Sequence, residues 1–97
     1  AIFLLLGDQR EERSVGAGEQ PWIAATPDGP FVVWVKKRGD AVLLLTPGSS
    51  SPVELAAYAN DPVIASGPSG RGPVVAVWEM HEGRNYSIQC QVVMEAK

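Results

Sequence analysis

Two stretches decide the reading of this chain: Pro21-Trp22-Ile23-Ala24-Ala25-Thr26-Pro27-Asp28-Gly29 and Pro62-Val63-Ile64-Ala65-Ser66-Gly67-Pro68-Ser69-Gly70. They align without a gap at an offset of 41 residues. The apolar runs that follow, Phe31-Val32-Val33-Trp34 and Val74-Val75-Ala76-Val77-Trp78, align Trp on Trp at an offset of 44. The extra residues fall near Arg71-Gly72-Pro73, in a turn, where an insertion costs little. Gly39 and Gly83 again stand 44 apart, and upstream the run 1–6 matches 41–45 at an offset of 40. The period is therefore 41 to 44 residues, the size of a repeat unit of four short strands.

The texture of the strands supports stacking. Runs 1–6, 31–35, 41–45 and 74–78 are apolar without alternation. A strand with one wet face alternates apolar and polar residues, so these runs need cover on both faces. A parallel sheet would supply it, but each crossover takes a dozen or more residues. The links here are short: Lys36–Asp40 and His81–Asn85 read as hairpin turns, with Gly supplying positive φ. Antiparallel sheets packed face on face meet both demands. The fold class expected is all-β, as antiparallel β-propeller blades: about two four-stranded blades, part of a larger propeller or of one closed by oligomerisation. Strands are expected near 1–6, 12–16, 21–26, 31–37, 41–46, 52–57, 61–66, 73–80 and 85–93. Residues 1–16 then end one blade, 17–57 form a full blade and 58–97 an incomplete one. One segment pulls the other way. Ser51, Pro52 and Glu54 carry the signals of a helix start over 51–60. The repeat register assigns an outer strand there, and tertiary context is expected to override propensity. A small sandwich with coincidental repetition would instead show one alternating wet face per strand.

Composition bounds the function. The chain has 97 residues, 45% hydrophobic and 20% charged, with ten Gly and eight Pro, which suits a turn-rich globular domain. The longest apolar run is six residues, too short for a membrane-spanning helix. One Cys allows neither an internal disulfide nor a cysteine zinc site. A net charge of −3 argues against a nucleic-acid partner. Two blades cannot bury both outer faces, so the expected partner is the rest of a propeller in a parent chain, or further copies of this chain.

The unit P-W-I-A-A-T-P-D-G-P-F-V-V-W and its partner P-V-I-A-S-G-P-S-G-R-G-P-V-V-A-V-W-E resemble the repeats of sialidase-type β-propellers over most of the chain. The element Thr26–Gly29 is similar also to the repeats of TolB-like propellers. Where the resemblance would place an Asp-box, the chain has Thr46–Val53 and Gly7–Glu12, and neither fits that motif. Family catalysis uses an arginine cluster, a Tyr–Glu pair and an Asp. None of these maps here, so no catalytic residue is expected. The lack of a triad, of paired carboxylates and of a metal cluster points to a non-catalytic binding or scaffold module; as the alternative, the resemblance offers the C-terminal fragment of a sialidase-like glycoside hydrolase. It also leans towards a periplasmic or secreted setting. No cofactor and no metal site are expected.

The chemically capable residues have plain readings too. His81, between Glu79 and Glu82, reads as a solvated turn residue, since a lone His lacks converging zinc ligands. Cys90 reads as a small buried hydrophobe in a strand. Lys36-Lys37-Arg38 reads as a solvated hairpin tip, or as a phosphate or carboxylate contact. Trp34 and Trp78 read as core between blades rather than as sugar-stacking rings, and Trp22, matched by Val63, as a shape-filling exception. In blade geometry the turn after the second strand and the link to the next blade share one face. Fold-level analogy puts ligands there. The candidate binding residues are Lys36, Lys37, Arg38, Asp40, Tyr58, Asn60, Asp61, His81 and Arg84, a mixed-charge set suited to a protein or a polar ligand.

Overall fold

A computed structural model describes residues 2–4, 13–37 and 39–94. Three antiparallel sheets follow one another along the chain, each with its strands in sequence order. Sheet 1 is β1 (Ile2–Leu4) and β2 (Arg13–Gly16). Sheet 2 is β3 (Glu19–Thr26), β4 (Gly29–Val35), β5 (Val42–Leu45) and β6 (Val53–Ala56). Sheet 3 is β7 (Ala59–Ser66), β8 (Val74–Glu82) and β9 (Asn85–Met94). Among the described residues there is no α-helix, and therefore none long and apolar enough to cross a membrane. The segment with helix-start signals is strand β6, where Leu55 and Ala56 pack against the core. That contact outweighs the local preference.

Sheets 2 and 3 stack through β7, which lies against β3 and β4. Val33, Val35, Val42 and Leu44 of sheet 2 meet Ile64, Val74, Ala76 and Trp78 of sheet 3 in one cluster. The other face of sheet 2 buries Val32, Trp34 and Leu45. Strand β4 thus feeds two cores at once, which is why run 31–35 does not alternate. The expectation of two covered faces fails for run 74–78. There Val74, Ala76 and Trp78 are buried while Val75 and Val77 are half-buried. The cause is that sheet 3 has sheet 2 on one side and no described element on the other.

The turns explain the gap in the repeat. The Thr26–Gly29 turn is held by Thr26 Oγ1, which donates to Gly29 O (2.8 Å) and accepts from Asp28 N (3.2 Å). Its counterpart is a single 3-10 turn, Pro68–Gly70, with Arg71 N donating to Pro68 O (3.1 Å), and the extra residues follow it before Val74. The match of Gly39 to Gly83 needs correction. Val33 pairs Leu44, whereas Val77 pairs Cys90, so β9 is offset from β5 by two residues more than β8 is from β4. Past the pair Glu79–Ile88, which corresponds to the last β4–β5 pair Val35–Val42, the β8–β9 ladder runs three pairs further, to Glu82 and Asn85, so that Gly83 and Gly39 do not hold equivalent places at the two tips.

Candidate functional site

One end of the stacked sheets gathers most of the expected binding residues. The β4–β5 turn is closed by Lys36 N on Ala41 O and by Asp40 N on Lys37 O, both 2.9 Å. It is docked onto the start of β7. Ala59 N donates to Asp40 O (2.8 Å), and Gly39 N donates to Asn60 Oδ1. Asn60 is the one buried polar residue among the described residues, at 6% exposure. A buried side-chain amide must be hydrogen-bonded to be tolerated, and here it fixes the turn. Asn60→Ala leaves the Gly39 N–H without this partner. A loss of about 1–2 kcal/mol is expected, read as a lower Tm together with faster amide exchange at Gly39. Unchanged exchange there would refute the anchoring role.

His81 is not the solvated turn residue its neighbours suggest. It lies within β8, half-buried, paired with Glu79 through Nε2 and Oε1. Its ring meets Tyr86 edge-on at 4.2 Å between centroids. Alternation along β8 puts Glu79 and His81 on one face, and the ladder brings Tyr86 opposite. His81 N donates to Tyr58 O (3.3 Å), which ties β8 to the same end. Lys36, Lys37, Asp40, Tyr58, Asn60, Asp61 and His81 are therefore brought together. Arg84 stands apart, exposed at the β8–β9 tip, and Arg38 lies outside the described residues. Among the described residues, no three of His, Cys, Asp and Glu converge as a metal site would require.

Gln20 belongs to this end, the face on which blade geometry places it, though it is not one of the candidate binding residues. Its amide clasps Asp61 twice: Nε2 donates to Asp61 Oδ1 (3.0 Å), and Oε1 accepts from Asp61 N (2.9 Å). The two residues are repeat counterparts, 41 apart, and each precedes a proline. Each also sits in the left-handed region, with φ of 55° and 51°, at a break in strand register. Tyr58 has φ 55° as well. Left-handed backbone at a non-glycine residue costs roughly 1–3 kcal/mol, so three of them within one small region mark a conformation held by its surroundings. The sequence signal was present: the repeat match extends one residue upstream of Pro21 and Pro62.

Between the two bulges lies an open cleft of about 280 Å³, lined by Gln20, Pro21, Trp22, Asp61, Pro62 and Val63. Trp22 is 53% exposed and Tyr58 72%. Trp34 and Trp78 are buried, as a core role requires. Cys90 is exposed rather than buried, because no described element covers the face of β9 that carries it. Compared with protein-family models, curated proteins and solved structures, the chain matches none.

Proposed function

We propose that this chain is a non-catalytic binding or scaffold module, built of sialidase-type propeller repeats and working beside further blades. Its ligand face is the end formed by the β4–β5 turn, the start of β7 and the Gln20–Asp61 clasp. The observation that carries this is the pair of exposed aromatics, Trp22 and Tyr58, set against a strained and hydrogen-bonded backbone. Trp and Tyr are the side chains that most often dominate protein interfaces, and a rigid backbone lowers the entropy lost on binding. Lys36, Lys37, Asp40 and Asp61 supply a rim of both charges, which favours a peptide or protein over a uniformly charged polymer.

The test is a selection of phage-displayed peptides against the chain. Peptides recovered by the wild type are expected to lose at least about tenfold in affinity on Trp22→Ala and on Tyr58→Ala. Binders indifferent to both substitutions would overturn the assignment of this face. Turnover of an aryl sialoside by the chain would replace it with the glycoside hydrolase reading.

A further inference from the structure

We propose that the outward face of sheet 3 seats a further antiparallel sheet of the same repeat type, carried on a segment other than these 97 residues, whose first strand presents an amide at the Asn60 position and a hydroxyl at the Ser66 position. This rests on the repeat reading above and not on what binds at the rim.

The face is apolar and open. Ladder pairs put Val77 with Cys90, Glu79 with Ile88 and His81 with Tyr86 on the side away from sheet 2. Ile88 is 70% exposed and Tyr86 66%. A patch of this kind, rimmed by polar groups, marks an interaction surface. The repeat identifies what belongs on it. The pairs Val33–Leu44 and Val35–Val42 occupy the same ladder places on sheet 2 as Val77–Cys90 and Glu79–Ile88 on sheet 3. On sheet 2 this face is fully covered, with Val33, Val35 and Val42 at 0% exposure. Its cover is sheet 3 itself, through Ile64, Val74, Ala76 and Trp78. The outward face of sheet 3 is thus the next copy of an interface the molecule already contains.

The hydrogen bonds along that interface define the partner. Asn60 Oδ1 accepts from the β4–β5 tip, Ala59 N donates to Asp40 O, and Ser66 Oγ donates to Ala25 O (3.0 Å). Sheet 3 offers the counterparts: the Gly83–Asn85 tip, and the carbonyl of Ser66, which stands 41 residues after Ala25. An incoming strand of the form Asn-x-Pro-x-x-x-Ser carries the same side-chain amide and hydroxyl to this edge. Glu79 stands where sheet 2 has Val35, so a donor facing it suits the partner better than a hydrocarbon. A second copy of this chain fits poorly. Its β3 carries Glu19 and Ala25 at the positions of Asn60 and Ser66, and the adjoining part of that face is occupied, with Trp34 fully buried and bonded to Ala17 O.

Cys90 lies in this face and reports its cover. The probe is the full chain extended by a second copy of its residues 58–94, with Cys90→Ser in the added copy. A flexible Gly/Ser linker of about 15 residues is long enough to run back along β9. Modification of the original Cys90 by a maleimide is expected to slow at least about tenfold relative to the unextended chain. Asn60→Ala with Ser66→Ala in the added copy should restore most of the rate. An unchanged rate overturns the proposal whether or not the added segment folds, since this face is what should seat it. Protection of the unextended chain that grows with its concentration also overturns it, in favour of a second copy. The peptide selection reads the rim alone, so the two proposals fail separately.

Discussion

Gly18→Ala is expected to cost about 3 kcal/mol or more and to lower Tm by roughly 15 °C in a domain of this size. The backbone at Gly18 is not in the left-handed region, so alanine can adopt its conformation and the effect is purely steric. A Cβ at that position would overlap Cδ1 of Trp34, and would stand 2.6 Å from Val35 O and 2.9 Å from Trp34 Nε1. None of these atoms can give way. The Val35 carbonyl belongs to β4, paired with β3 at Glu19 and with β5 at Val42, and Trp34 is at 0% exposure. Shrinking the ring should therefore rescue only part of the loss, because the Val35 carbonyl remains. Thermal melts of Gly18→Ala and of Gly18→Ala with Trp34→Leu decide the point. A single variant that melts within about 2 °C of the wild type, a fraction of a kcal/mol, would mean that the link from sheet 1 to sheet 2 does not press on Trp34.

Gly18 also marks where reading the sequence stops. The strands are legible because their signals are local: apolar runs, Gly and Pro punctuation, and an internal sequence match that aligns β3 with β7 and β4 with β8. Even β6 followed from register against its own helix signals. The demand for glycine at position 18 depends on an indole sixteen residues on, and nothing near Gly18 announces it. The clasp of Gln20 on Asp61 is hidden for the opposite reason. A residue before proline is biased towards extended backbone, so positive φ at both contradicts the local rule. Cys90 differs from its reading because its environment depends on what lies beyond the outer face of sheet 3, and His81 because the β8–β9 ladder runs past it and keeps it in a strand. The burial of Asn60 beneath the β4–β5 turn is likewise tertiary. What the candidate site needs beyond the repeat is the way one hairpin closes on the next strand.

Trp34 and Trp78 hold the same place in the repeat, and their response to Phe should differ. Trp34 Nε1 donates to Ala17 O at 3.2 Å. Trp78 Nε1 is buried without a partner among the described residues. The counterpart of Ala17 is Tyr58, 41 residues on, and its carbonyl already accepts from His81 N. The extension of β8 past Met80 carries His81 N onto the carbonyl at the place that matches Ala17 O, and the Trp78 indole makes no bond to it. Trp34→Phe removes a hydrogen bond and leaves both a cavity and an unpaired carbonyl, so a loss of about 2–3 kcal/mol is expected. Trp78→Phe leaves a similar cavity but also removes a buried donor whose desolvation has no compensation. The second effect offsets most of the first, and a loss of about 1 kcal/mol or less is expected. The gap corresponds to roughly 10 °C in Tm. Replacing both side chains by Ala removes the distinction. Each then loses a full aromatic side chain from the core, about 3–5 kcal/mol, and the two variants should converge. Equal losses for the two Phe variants would mean that the Ala17 bond contributes nothing, and that shape alone keeps Trp at both positions.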